Sequence, residues 1–425
     1  MQTGLLDPQA LRDRVSAGGA VALVDVRRKR PFGQGHILLA VNAPLHCLEY
    51  ELPRLVLGRD VDLILCDDGS GMAETAATTA GDLGYASAAI LDGGIKAWSA
   101  SGGVLFEGEN VLGTILAECV DETYAIPKVT PDELLTWRSS GRTPVVLDSR
   151  PRESYQRAHI PGAISCPGGD LVYRIDTLVP DPVTPIVINC AGRSRSIYGA
   201  QSLINAGISN CVYSLEKGTV GWWRAGHALA QGAGPRAHEA GLPATGKRRD
   251  AARRLALACG AHAIDRDILK HWRGEAENIS LHLLDVRLPE EYEAGHTFGA
   301  VSAPGGQLVE CSDDWIGLRG GRVVLLDDDG VRAPMAASWL RQLGYENVAF
   351  MADGEELEPD ETGLPAGEVH EPGESGPEDA YYPDCATLEE DLLASEHYVL
   401  EQIKLPEQVR RDGLVSFSPH EPGQI

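Results

Sequence analysis

One pattern recurs three times along the chain, and it limits the fold more than any other feature. The first instance is Leu23-Val24-Asp25-Val26-Arg27, followed by Gly35-His36-Ile37 and Val41-Asn42-Ala43-Pro44. The second is Val146-Leu147-Asp148-Ser149-Arg150, then Ala158-His159-Ile160-Pro161-Gly162-Ala163 and Cys166-Pro167. The third is Leu284-Asp285-Val286-Arg287, then Gly295-His296, Gly299-Ala300-Val301 and Ala303-Pro304. The histidine follows the aspartate by eleven residues each time, and the copies are displaced by 123 and then 137 residues. Gly84, Gly207 and Gly344 keep these displacements. The unit is therefore triplicated, and a fold that suits one copy must suit all three.

Within each unit short apolar runs alternate with helical segments. The runs are Ala20–Val24, Val61–Leu65 and Ala88–Leu91, then Val145–Leu147, Ile186–Ile188 and Cys211–Tyr213, then Leu281–Leu284, Val323–Leu326 and Val348–Phe350. Gly71–Leu83, Ser196–Ala206 and Ala333–Leu343 read as helices between them. Strand, helix, strand at this spacing predicts an α/β fold, a mostly parallel, doubly wound sheet with helices on both faces. The expected organisation is three such domains at 1–108, 128–230 and 261–356, each about the size of a single core. Connectors fall at 109–127, read as a helix ended by Pro127, and at 231–260, whose Gly-, Ala-, Pro- and Arg-rich start reads as a mobile or wrapping linker. An acidic linker is expected at 357–380, overlapping a stretch from 353 to 379 that carries no Lys or Arg and reads as extended or disordered. In the tail, 381–425, Thr387-Leu388-Glu389-Glu390 looks like a helix start. Leu392, Leu393, Tyr398, Val399, Ile403 and Leu405 could then pack on a domain.

The net charge of −25 argues against nucleic acid or an anionic membrane as partner. The nine cysteines are odd in number, scattered and without ligand spacing, so neither a disulfide framework nor a metal site is expected. Met-Gln-Thr-Gly-Leu-Leu-Asp-Pro lacks a basic region followed by an apolar run, so no signal peptide is expected and a reducing cytoplasm fits best.

Chemistry concentrates at Cys190. The run Ile186-Val187-Ile188-Asn189 ends there, and Ala191-Gly192-Arg193-Ser194-Arg195-Ser196 leads into a helix. A thiol at the carboxyl end of a parallel strand stands where ligands bind in open α/β sheets. Loop N–H groups and a helix N-terminus favour an anion, and Arg193 and Arg195 add positive charge. These groups are expected to lower the thiol pKa and make Cys190 a nucleophile. The equivalent loops differ: Cys66-Asp67-Asp68-Gly69-Ser70-Gly71 sets carboxylates beside its thiol, and Asp327-Asp328-Asp329-Gly330-Val331-Arg332 has no thiol. The first loop is expected to be idle and the third silent. Asp148 is expected to anchor its loop, Arg150 to pair with a carboxylate such as Glu153, and His159 to hold structure. Trp98 and Trp222 are expected in the core, and Cys166 is expected to be a small buried residue.

Asp148-Ser149-Arg150, His159-Ile160-Pro161-Gly162-Ala163 and Cys190-Ala191-Gly192-Arg193-Ser194-Arg195 together resemble the rhodanese family, as do Lys217-Gly218-Thr219-Val220-Gly221-Trp222 and Gly93-Gly94-Ile95-Lys96-Ala97-Trp98. The resemblance covers residues 1–355 and is similar to multi-domain rhodanese-related sulfurtransferases. It implies a five-stranded parallel sheet per domain and transfer of sulfane sulfur through a cysteine persulfide. Cys190 would then be catalytic, with Ala191, Gly192, Arg193, Ser194, Arg195 and Ser196 holding a donor such as thiosulfate. The acceptor would be cyanide in vitro or a thiol in the cell, and no metal or organic cofactor is required. Phosphatases and arsenate reductases on related folds are rivals, but phosphatases of this kind place an arginine at the sixth position after the cysteine, and here that is Ser196. A binding or scaffold protein is the alternative of another class, with idle copies shaping the acceptor site or mediating a homodimer.

Overall fold

The computed structural model describes residues 2–237, 244–276, 279–352, 361–363, 387–417 and 419–420. The chain builds three five-stranded sheets. The first comprises β1 (Gln2–Leu6), β2 (Val21–Asp25), β3 (Val41–Asn42), β4 (Asp62–Cys66) and β5 (Ser87–Leu91). The second comprises β6 (Lys128–Val129), β7 (Val145–Asp148), β8 (Ile164–Ser165), β9 (Ile186–Asn189) and β10 (Val212–Leu215). The third comprises β11 (His262–Ile264), β12 (Leu281–Asp285), β13 (Val301–Ser302), β14 (Arg322–Leu326) and β15 (Asn347–Met351). Each has the order first, fifth, fourth, second, third, as in β1-β5-β4-β2-β3. All these pairings are parallel.

The middle strand explains why the sheets are covered on both faces. All four residues of β9, Ile-Val-Ile-Asn, are buried, as a strand between two helical layers must be. The second, fourth and fifth strands of each sheet match the nine apolar runs to within a residue or two. The remaining two are the edges, two residues long or partly polar, and carry no readable pattern.

The repeated Asp-x-Arg-(x)-His pattern builds the same scaffold three times. Arg27, Arg150 and Arg287 each fold back on the aspartate two residues earlier, Asp25, Asp148 and Asp285. Each also donates to a backbone carbonyl eight residues on, at Gly35, Ala158 and Gly295. The expected partner of Arg150, Glu153, is thus replaced by Asp148: the pair is buried, and an aspartate removed from water needs its charge compensated at once. His36, His159 and His296 stack on Phe32, Tyr155 and Tyr292. Their Nδ1 atoms face the carbonyls of those same residues at 3.2, 2.9 and 2.9 Å, so that nitrogen carries the proton. The histidines are structural pins. Trp98 and Trp222 are buried as expected, as is Cys166.

The connectors are more ordered than their composition suggests. A linker helix, Val111–Tyr124, buries Val111, Ile115, Leu116 and Val120, each worth about 1.5–3 kcal/mol when fully removed from water. Within the region read as a wrapping linker, Gly246–Ala258 is a helix that buries Ala251, Ala252, Leu255 and Ala256. Its Arg248 pairs with Asp176 at 2.7 Å, tying it to the second domain. The acidic stretch lies outside the described residues except for 361–363. A tail helix, Leu388–Gln402, starts at Thr387 through a reciprocal capping box with Glu390. Leu392, Val399 and Leu405 pack inward, but Leu393 and Ile403 are exposed, because the helix lies on a surface that covers only one of its sides. Among the described residues no helix is long and apolar enough to cross a membrane.

Candidate active site

Cys190 follows β9 directly, at the carboxyl edge of the second sheet. Its carbonyl accepts the Thr219 N–H at 2.9 Å, and the Ala191 carbonyl accepts Val220 N–H at 3.1 Å. These bonds fix the loop to the helix Gly218–Arg224. Close approach requires glycine at 218: it has φ +52°, and a Cβ there would overlap the Cys190 carbonyl oxygen. Cys190 Sγ lies 3.5 Å from Ser196 Oγ, which donates to the Arg193 carbonyl at 2.8 Å and accepts from Ser214 Oγ at 2.9 Å. Ser194 opens the helix Ser194–Asn205, and its buried hydroxyl has no hydrogen-bond partner among the described residues.

Two expectations need correction here. The thiol is only 2% exposed, and burial, which penalises the thiolate, pushes its pKa up rather than down. Ser196 and Arg195 work the other way but do not win. Second, the loop arginines are not a bare cationic pair. Arg193 is gripped by Glu118 at 2.7 Å and by Asp121 at 3.0 Å, both on the linker helix. Arg195 forms an ion pair with Glu310 of the third domain. The carboxylates therefore come from outside the domain that carries the thiol. Glu118 lies three residues after Ile115, on the apolar side of its helix, and that spacing was the available signal. Nothing local marks Glu310.

Gly192 is buried beneath the tail helix, against Val399, which is 4% exposed. Arg224 and Glu396 pair alongside. A cavity of about 40 Å³, room for roughly one water, opens between the second and third domains and is bordered by Arg195, Tyr198, Gly169, Gly306, Arg332 and Trp339. Cys190 does not line it.

The two equivalent loops are closed from within. In the first, the Asp67 carboxylate accepts from the N–H groups of Gly69, Met72 and Ala73 at 2.7, 2.7 and 3.2 Å. Cys66 is buried, and burial together with Asp25 and Asp67 holds its thiol well above the ordinary value, with Arg27 opposing. In the third, Asp327 accepts from Val331 and Ala333 at 3.1 and 2.9 Å, and Asp329 from Val331 and Arg332 at 2.7 and 3.0 Å. The second loop contains no carboxylate, and the Arg193 side chain makes no cap bond to the helix it precedes.

A thiol at a parallel strand end, an anion-type loop behind it and the buried Asp-Arg-His scaffold define a tandem α/β protein in which one of three loops pairs a thiol with a stretch free of carboxylates. The chain belongs to the rhodanese-like domain family, whose model matches residues 7–101, 130–225 and 266–356. It is similar to a thiosulfate sulfurtransferase from Pseudomonas aeruginosa known from its crystal structure, at 32% identity and a TM-score of 0.91, over 98% of this chain and all of that one. It is also similar to the SseB protein of Mycobacterium tuberculosis, itself named a thiosulfate sulfurtransferase only provisionally, at 29% identity over 211 residues, 40% of this chain and 72% of that one. A third relative, the HTH-type transcriptional regulator Rv0324 of the same organism, is 35% identical over 105 residues, 25% of this chain and 45% of its own length.

Proposed function

We propose that the chain is a sulfurtransferase that carries sulfane sulfur on Cys190, with thiosulfate or a related small molecule as donor. One observation carries the reading: of three equivalent loops, only the second joins a strand-end thiol to N–H groups that no aspartate fills. The Cys190 thiolate attacks the outer sulfur of thiosulfate. The S–S bond of the donor breaks, sulfite leaves with the bonding pair, and a persulfide remains on Cys190. A thiophilic acceptor, cyanide in vitro or a thiol in the cell, then takes the outer sulfur and returns the thiolate. In this reading the loop amides, that of Ser196 among them, stabilise the anionic sulfur, and the Ser196 hydroxyl, which accepts from the Cys190 thiol, supports it. Arg193 and Arg195 serve the donor's sulfonate through charge that Glu118, Asp121 and Glu310 partly offset. The free cysteines suit a reducing cytoplasm.

A second reading is a binding protein with little turnover. It draws on the burial of Cys190 and on the seat of the tail helix on Gly192 of its loop. Thiosulfate-dependent thiocyanate formation separates the two. Wild type should turn over with ping-pong kinetics, Cys190→Ser should lose activity, and Cys66→Ser should keep it. Retained activity in Cys190→Ser would remove Cys190 from the mechanism. An inactive wild type that hydrolyses an aryl phosphate would change the reaction class.

A further inference from the structure

The second and third domains meet around a pseudo-twofold axis. Equivalent residues, 137 positions apart in the chain, touch across it. Gly168 and Gly169 pack on Gly305 and Gly306, so closely that a Cβ on Gly169 would stand 3.1 Å from the Gly306 nitrogen and one on Gly306 3.0 Å from the Gly169 nitrogen. Trp339 Nε1 donates to the hydroxyl of its own equivalent, Ser202, at 3.0 Å. In an isologous contact of this kind each residue meets its symmetry counterpart, so a departure from symmetry stands out.

The departure falls at the active loop. Arg195 and Arg332 are equivalents, and so are Tyr173 and Glu310. Arg332, from the loop without a thiol, takes its carboxylates from Asp170, Glu291, Asp328 and Asp329 and lies over the ring of Tyr173, 4.7 Å from its centroid. Arg195, from the loop with the thiol, meets a carboxylate in the matching place. Glu310 is 6% exposed, and a buried carboxylate is costly unless paired, so Arg195 is bound to it by more than proximity. The backbone at Glu310 is itself wedged against Gly113 of the linker helix, where no Cβ would fit.

We propose that Glu310, on a domain without a sulfur nucleophile of its own in the loop, is a positioning residue for sulfur transfer at Cys190: it holds the Arg195 guanidinium at the loop and sets how much positive charge an anionic donor meets. The proposal rests on the reading of Cys190 as the sulfur carrier. The other titratable and charged groups facing this contact are the thiols of Cys190 and Cys311, the Tyr198 hydroxyl, and Arg193 with Glu118 and Asp121. Glu310 opposes the thiolate of Cys190 where Arg195 favours it. The third domain thus tempers the charge of the second one's site.

The test uses the full-length protein with Glu310→Gln and Glu310→Asp. Two quantities are read: the steady-state KM and kcat for thiosulfate, and the pH dependence of Cys190 alkylation by iodoacetamide, followed on its own peptide by mass spectrometry. Glu310→Gln keeps the shape and removes the charge, so thiosulfate KM should fall about fivefold with kcat little changed. The alkylation profile should move to lower pH. Glu310→Asp sets the carboxylate further from Arg195 and should shift both in the same direction by less, which keeps the test alive if Glu310→Gln does not fold. In an Arg195→Gln background, Glu310→Gln should have no further effect on KM. A folded Glu310→Gln with wild-type KM and alkylation profile overturns the proposal, even if its Tm drops. If wild type transfers no sulfur but the alkylation profile still shifts, the sulfurtransferase reading fails and the Glu310–Arg195 coupling stands.

Discussion

Val399 of the tail helix sits directly on Gly192 of the Cys190 loop, with Cγ2 where a Cβ at position 192 would have to be. The contact joins residues 207 positions apart. It makes the helix Leu388–Gln402 the cover of the loop that carries the thiol. The pair Arg224–Glu396 fastens that cover to the helix behind the loop.

Gly192→Ala should therefore lift the tail helix off the loop. Gly192 has no need of a left-handed backbone, so the added methyl acts through Val399 alone. Amide exchange over 388–402 should accelerate, and Cys190 should react faster with iodoacetamide. Val399→Ala in the same chain removes the opposing methyl groups and should return both rates towards wild type. Unchanged exchange in Gly192→Ala would mean that the helix does not rest on the loop in solution.

Asp67→Ala opens the first loop. The substitution takes away three acceptor contacts to loop N–H groups and should cost about 1 kcal/mol in stability, in line with the loss of a helix cap. It also removes one of the charges that hold the Cys66 thiol up. Cys66 should then alkylate faster at a given pH, while thiosulfate turnover, carried by Cys190, stays as it was. Denaturant melts and peptide-resolved alkylation read the two effects separately.

The architecture was legible from the chain because its scaffold is repeated and apolar. β4, β9 and β14 each contain an unbroken aliphatic stretch of three or four residues, and Asp148, Arg150 and His159 each have counterparts at fixed displacement. The edge strands were not legible: two residues such as Lys128–Val129 cannot show a period, and they are strands only because β10 offers them a partner. The same divide runs through the site. Position and chemistry of Cys190 follow from one strand and one loop. The partners of its arginines do not, because Glu118 and Glu310 arrive from other parts of the fold and their burial is a property of the assembled domains. The reversed direction of the Cys190 shift has the same origin, since a local reading counts the loop charges and omits the helix and the domain that shut out water.

Arg150→Met tests the scaffold. Asp148 is fully buried and accepts from Arg150 and from Asn189. Removing the arginine leaves a buried carboxylate with its charge uncompensated, a loss of about 3–5 kcal/mol. Urea unfolding monitored at the tryptophans should show a midpoint shifted accordingly. A change under about 0.5 kcal/mol, the size typical of surface substitutions, would show that the pair is exposed to water in solution.

The pH dependence of turnover follows from the burial of the nucleophile. Only the thiolate attacks, and its fraction falls tenfold for each pH unit below the thiol pKa. Burial raises that pKa above the ordinary cysteine value; Ser196 and Arg195 pull it down and Glu310 pushes it up. The sign is therefore that kcat/KM for thiosulfate rises with pH through neutrality and levels only above the ordinary cysteine range. Ser196→Ala removes a hydroxyl that pulls the thiol pKa down and should move the profile further to alkaline pH. Gly192→Ala, by admitting water to the loop, should move it to lower pH, because the largest cause of the shift is the one it relieves. A wild-type profile already flat by about pH 7 would mean that the thiol ionises as an activated one, and that the tail helix does not stand over Cys190 when the donor binds.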